Sequence, residues 1–169
     1  MHDDIVRGTT DIDDSLRATP DSTGPAGATV PADTAGGLQV RHGAKALVRN
    51  EGRVLLVRER REDDSTFWTL PGGGVEPGES YRKCLKREFR EELGCRVAVE
   101  SPISACLYQH TTLRDTVTLY PVFEATPMGA PRPNRAEGVV DCGWRQPATP
   151  PSDTLDPFQR LLHRLPDGD

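Results

Sequence analysis

The sequence has no apolar run long enough to cross a bilayer or form a signal-peptide core, and it begins Met1-His2-Asp3-Asp4. Secretion and membrane insertion are therefore not expected, and a cytoplasmic location is. It also has no basic excess: 21 Lys and Arg stand against 26 Asp and Glu, a net charge of −5. Because affinity for duplex nucleic acid rests on neutralising phosphates with cations, such duplexes are excluded as general partners. Contact with an anionic substrate would need metal ions as mediators. Cysteine pairs are missing too. Cys84, Cys95, Cys106 and Cys142 show no C-x-x-C spacing and no zinc-like arrangement with the histidines, so reduced, buried thiols are expected. There are no internal repeats, and nothing in the chain reports its oligomeric state.

The 169 residues suffice for one domain with a sizeable core. Residues 1–38 are rich in Asp, Thr, Ala, Gly and Pro with no helical or strand period, which predicts a disordered acidic tail. The domain is expected over residues 39–166, leaving 167–169 as a C-terminal end. Val40 to Val48 alternates with a period of two and predicts a strand with one better-buried face. Asn50-Glu51-Gly52 supplies a turn before Arg53 to Arg58, so a hairpin is expected there. Phe67 to Leu70 reads as a short strand, and Trp68 on it is open to two roles, core packing or stacking on a substrate base.

Further strands are expected over Arg96–Glu100, Ile103–His110, Thr116–Ala125 and Val139–Trp144, with Pro102 separating the first two. Pro121 has no N–H to give a ladder and predicts an edge strand or a bulge. A terminal helix is expected from Asp156 as cap, with Pro157 first, Gln159 completing a capping box, and Phe158, Leu161, Leu162 and Leu165 as its apolar stripe. Strands with one long central and one terminal helix give an α+β fold or a layered sandwich.

The chain's chemistry concentrates between Gly73 and Cys95. Leu70-Pro71-Gly72-Gly73-Gly74 cannot be regular structure, and a helix is predicted from about Ser80 to Leu93, with Gly94 to end it. At about 100° per residue, Glu88, Glu91 and Glu92 share roughly a third of the helix circumference. Three converging carboxylates suit a hard cation such as Mg²⁺. The bland alternative is a solvated face paired with Lys83, Lys86, Arg87 and Arg90.

Gly73, then Glu79, then Arg87-Glu88-Phe89-Arg90-Glu91-Glu92-Leu93-Gly94-Cys95 resembles the complete signature of the Nudix hydrolase family. Cys95, where the family usually carries an aliphatic residue, is a soft departure. The resemblance implies an α/β/α sandwich, a mixed sheet between helices. It implies Mg²⁺, with Mn²⁺ as an alternative, held by Glu88, Glu91, Glu92 and the Gly73 carbonyl. It further implies a supporting Glu79–Arg87 salt bridge and catalysis drawing on Glu91 and Glu92. Family members often recruit an acidic residue outside the signature; Glu137 and Asp141 are candidates here, the alternative being ordinary loop and strand carboxylates.

The implied activity is metal-dependent hydrolysis of the phosphoanhydride of a nucleoside diphosphate linked to another moiety, of the dNTP/NTP, ADP-ribose or nucleotide-sugar type. The implied partner is thus a small-molecule nucleotide. The alternative is a non-catalytic, nucleotide-sensing module of the same fold.

Overall fold

The computed structural model describes residues 37–110 and 113–166; nearly all of the expected tail, and residues 167–169, lie outside the described residues. The alternating run that opens the domain forms two strands, β1 (Gln39–His42) and β2 (Lys45–Leu47), both parallel to β7 (Thr116–Met128). β1 is exposed throughout and β2 buried throughout, so the expected single strand with one better-buried face is not formed. The reason lies at Gly43 and Ala44, where the glycine-rich segment meets the edge of this run. Gly43 bridges Gly74, Ala44 N donates to Gly73 O (2.9 Å), Ala46 N to Pro71 O (2.9 Å) and Val75 N to His42 O (3.0 Å). The irregular loop is thereby fixed by strand-like hydrogen bonds.

On the other side of β7 runs β6 (Arg96–Gln109), antiparallel. It is one strand, where two were expected. β7 offers a continuous partner to both halves, and Pro102 is absorbed by register shifts on either side of it. Of the two alternatives for Pro121 the edge is not met, since it lies in β7 between two neighbours, whereas the register shift between Pro102 and Ser104 falls opposite Phe123 and Val122, next to it. The parallel ladder passes from His42 opposite Leu119 to Lys45 opposite Val122, so the missing N–H falls where β1 and β2 are interrupted.

The second four-stranded sheet is built on β4 (Arg53–Arg60), which pairs antiparallel with β3 (Arg49–Asn50), β5 (Thr66–Thr69) and β8 (Val139–Arg145). The expected hairpin is present: Glu51 (φ 48°) and Gly52 (φ 70°) are both left-handed, as the tight turn matching strand twist requires.

Alternate strand residues feed two cores. Ala46, Val48, Leu55 and Val57 pack with Leu85, Phe89 and Leu93 of α1 (Tyr81–Leu93). Leu47, Val54 and Leu56 pack with Trp68 and with Phe158 and Leu162 of α2 (Asp156–Leu162). Strands thus lie between helices, in the expected sandwich. α2 starts differently from the expectation: Leu155 is its N-cap, Asp156 lies inside, and no side chain caps it. Pro157, with no N–H to satisfy, makes that first turn tolerable. Among the described residues no helix is long and apolar enough to cross a membrane.

Candidate active site

Local sequence fixes the position of α1. Ser80 is extended and its side chain accepts from Lys83 N (3.3 Å), while Gly94 ends the helix at φ 62°. Cys84, Leu85, Phe89 and Leu93 are buried, which turns Glu88 and Glu92, one turn apart, toward the glycine loop. Gly73 permits this approach, because a Cβ there would overlap the Glu88 carboxylate.

Arg87 straps the loop to the helix. Its Nε and Nη2 donate to the two oxygens of Glu79 (3.0 Å each), Nη2 also to Gly74 O (2.9 Å), and Nη1 to Glu88 Oε1 (2.9 Å) and Glu91 Oε2 (3.0 Å). The side-chain hydrogen bond to Glu79 is the chief reason its guanidinium is held above the ordinary value and Glu79 below it. The Glu79–Arg87 salt bridge implied by the resemblance and an i,i+4 pair of Arg87 with Glu91 coexist.

The three carboxylates are not gathered as expected. Glu88 and Glu91 are drawn onto Arg87, whereas Glu92, 7 % exposed, accepts from Gly72 N (3.1 Å). Among the described residues no three Asp, Glu, His or Cys side chains stand together as a set that holds one ion. The donor chemistry nevertheless suits a hard dication: the acids are all oxygen donors, and the missing Cβ of Gly73 gives Glu88 room. Burial raises the pKa of Glu88, with Arg87 opposing, and pushes Glu92 up to about 8, with Lys45 opposing and Glu59 and Glu88 adding to the rise. Burial thus outweighs the cations beside these acids. The Gly73 carbonyl, expected as a ligand, already accepts from Ala44 N, with Cys84 Sγ at 3.6 Å.

The structure does not bring Trp68 and Asp141 to these glutamates. Trp68 is 6 % exposed within the α2-side core, with the Arg145 guanidinium 4.6 Å from its ring centroid, so packing is the role its position carries. Asp141 is exposed on β8 and lies 4.0 Å from Arg145 Nη2. Glu137 sits in a 3-10 turn, Arg135–Glu137, just before β8. Its N-cap, Asn134, donates from Nδ2 to Glu91 O (2.8 Å) and from its backbone N to Glu92 O (2.8 Å), docking the turn on the end of α1.

Sequence reasoning missed Asn134, Gly72, Glu59 and Lys45. Lys45 Nζ donates to Gly72 O and lies 3.4 Å from Glu59 Oε1. One signal was available: Leu47 breaks the polar face to which alternation assigned Lys45.

The CTP pyrophosphohydrolase of Escherichia coli K12 is 44% identical over 55 residues, 32% of this chain and 41% of that protein. The nucleoside triphosphatase NudI of E. coli O1:K1 is 49% identical over 51 residues, 28% of this chain and 36% of that protein. The chain thus spans less than half the length of these relatives. Among solved structures, a MutT NUDIX hydrolase from Burkholderia pseudomallei superposes with a TM-score of 0.67 at 25% identity, covering 76% of this chain and 99% of that one. The family model for the NUDIX domain matches residues 40–165, and the chain belongs to the Nudix family.

Proposed function

We propose that the chain is a metal-dependent hydrolase of the phosphoanhydride bond in a nucleoside diphosphate linked to another moiety, with nucleoside triphosphates as the favoured class. One observation carries the reading: two carboxylates one helical turn apart, Glu88 and Glu92, lie against a glycine loop with raised proton affinity, next to the Arg87 strap. The triphosphate preference is supported by the names of the relatives, a CTP pyrophosphohydrolase and a nucleoside triphosphatase.

In this reading Glu88, Glu91 and Glu92 hold Mg²⁺ or Mn²⁺. When bound, the ion neutralises the diphosphate, polarises phosphorus and lowers the pKa of a water. Glu79 and Arg87 are positioning residues, since their mutual hydrogen bonds and the bond from Arg87 to Gly74 O fix the loop against α1. Releasing Glu88 and Glu91 from Arg87 is the rearrangement that would gather the carboxylates. Glu91, whose side chain is 44% exposed, is the member placed to take a proton from solvent or water. Glu137 is the outside acid retained as an alternative base, because its turn is anchored to the Glu91 and Glu92 carbonyls through Asn134. The four cysteines are free thiols, which supports a reducing, cytoplasmic setting.

A nucleotide-sensing module is the second reading, favoured by the neutralisation of the cluster by Arg87 and Lys45. The deciding experiment assays dNTPs, NTPs, ADP-ribose, dinucleoside polyphosphates and nucleotide-sugars with Mg²⁺ and Mn²⁺, using Glu92→Gln as control. Cleavage of a triphosphate, reduced at least a hundredfold in the variant, is the expected result. Nucleotides that raise Tm while no phosphate or pyrophosphate is released would establish the sensor instead.

A further inference from the structure

Among the described residues the charged side chains that are buried are Lys45 and Glu92, and they lie on either side of the same peptide. Gly72 gives its N–H to Glu92 and its carbonyl to the Lys45 ammonium. The ammonium's other close oxygen is Glu59 Oε1 at 3.4 Å, and the rings of Tyr120 and Phe158 flank it at 5.6 and 6.0 Å. An ammonium has three donors and cannot stay buried unpaired, so this set of partners is what keeps it charged. Burial alone would lower its pKa; Glu59 first, then Glu92, Tyr120 and Glu88 hold it above the ordinary value. Arg87 contacts Glu79, Glu88 and Glu91 but neither Glu59 nor Glu92. Neutralising those two acids falls to Lys45.

The Gly72 carbonyl and the carboxylates of Glu59 and Glu92 on either side of this peptide are oxygen donors of the kind a hard divalent ion takes. A divalent ion drawn to the same group of acids would repel the ammonium, since neighbouring unit charges interact appreciably even at an effective dielectric of about 20. We propose that Lys45 is an internal counter-cation that competes with the divalent ion for the carboxylate cluster and so sets the chain's metal affinity. The inference rests on the metal-binding reading above and deepens it. Lys45 needs no contact with nucleotide to act in this way.

The test is a Mn²⁺ titration of the full chain, free ion being read by electron paramagnetic resonance, with no nucleotide present. Lys45→Met keeps the apolar stem and removes the charge; its Kd for Mn²⁺ should fall at least tenfold. Glu59→Gln leaves the ammonium less compensated, and its Kd should rise severalfold. A purely structural Lys45 would weaken Mn²⁺ binding when replaced, since the Gly72 peptide would lose its tether. Unchanged or weaker binding in a folded Lys45→Met protein overturns the inference. If that variant does not fold, an unchanged or lowered Kd in Glu59→Gln overturns it equally. Failure of the metal-binding reading looks different: neither the unsubstituted chain nor Lys45→Met would bind Mn²⁺.

Discussion

At the scale of single residues, Glu92 carries the sharpest consequence. Its ordinary pKa is 4.5 and burial lifts it to about 8. An acid whose folded-state pKa is raised leaves stability intact below its unfolded value and removes it as pH climbs toward the folded value. Without metal, Glu92 should therefore cost the protein stability progressively between about pH 4.5 and 8. Glu92→Gln removes the titration and keeps an oxygen for Gly72 N. The Tm advantage of the variant over the unsubstituted chain, measured in EDTA, should grow from pH 5 to pH 8.5; a difference constant with pH would contradict the assignment. Glu79 has the opposite sign: its depressed pKa contributes stability above the ordinary 4.5 and loses it as pH falls below that. Arg87→Met removes its bidentate partner along with the bonds to Glu88, Glu91 and Gly74 O. A cost of about 2–3 kcal/mol in urea unfolding is expected, given what charged hydrogen bonds contribute when part-buried. A loss below about 0.5 kcal/mol would mean that the strap is a surface pair of the ordinary kind.

At the scale of elements, α1 was the most legible part of the chain. Its cap, its glycine stop and its buried face all follow from local composition, and the structure begins it one residue past Ser80. The glycine loop was legible as a loop, but which glycine does what was not, because that depends on contacts far along the chain. Gly72 has φ +117°, and a Cβ there would run into the Ala44 carbonyl, whereas at Gly73 it would meet the Glu88 carboxylate, the far end of a flexible side chain. Substitution should separate the two. Gly72→Ala is expected to lower stability by about 2 kcal/mol or more through the strained backbone. Gly73→Ala should keep most of its stability and lose most of its hydrolytic activity and Mn²⁺ affinity, since only Glu88 has to move. Equal Tm losses in the two variants would count against this division. Strands were harder. Pro102 reads as a break locally, yet a long partner strand overrides it; the capping box at Asp156 satisfied its pattern and was still displaced by one residue.

At the scale of the whole molecule, the layered architecture and the family were within reach of the sequence, because period-two strands and one signature-bearing helix leave few ways to pack. What stayed out of reach was long-range electrostatics. Beyond the break in the polar face at Leu47, nothing local distinguishes Lys45 from a solvent-facing strand lysine, nor Glu59 from any charged residue at a strand end. Only the meeting of β2, β4 and the glycine loop makes them a pair. The same holds for Asn134, whose value appears once the turn before β8 reaches the carbonyls that end α1. Trp68 shows the converse, a residue with two possible roles that tertiary packing assigns to the core.

The claim on which the function depends is that the acids of α1 can be drawn from Arg87 onto one divalent ion. The most direct measurement is anomalous diffraction from a crystal soaked in Mn²⁺. The expected result is a manganese peak beside Glu88 and Glu92, with the Glu88 carboxylate turned away from the Arg87 guanidinium. A saturating soak with no peak there, and Glu88 and Glu91 still bound to Arg87, would contradict it.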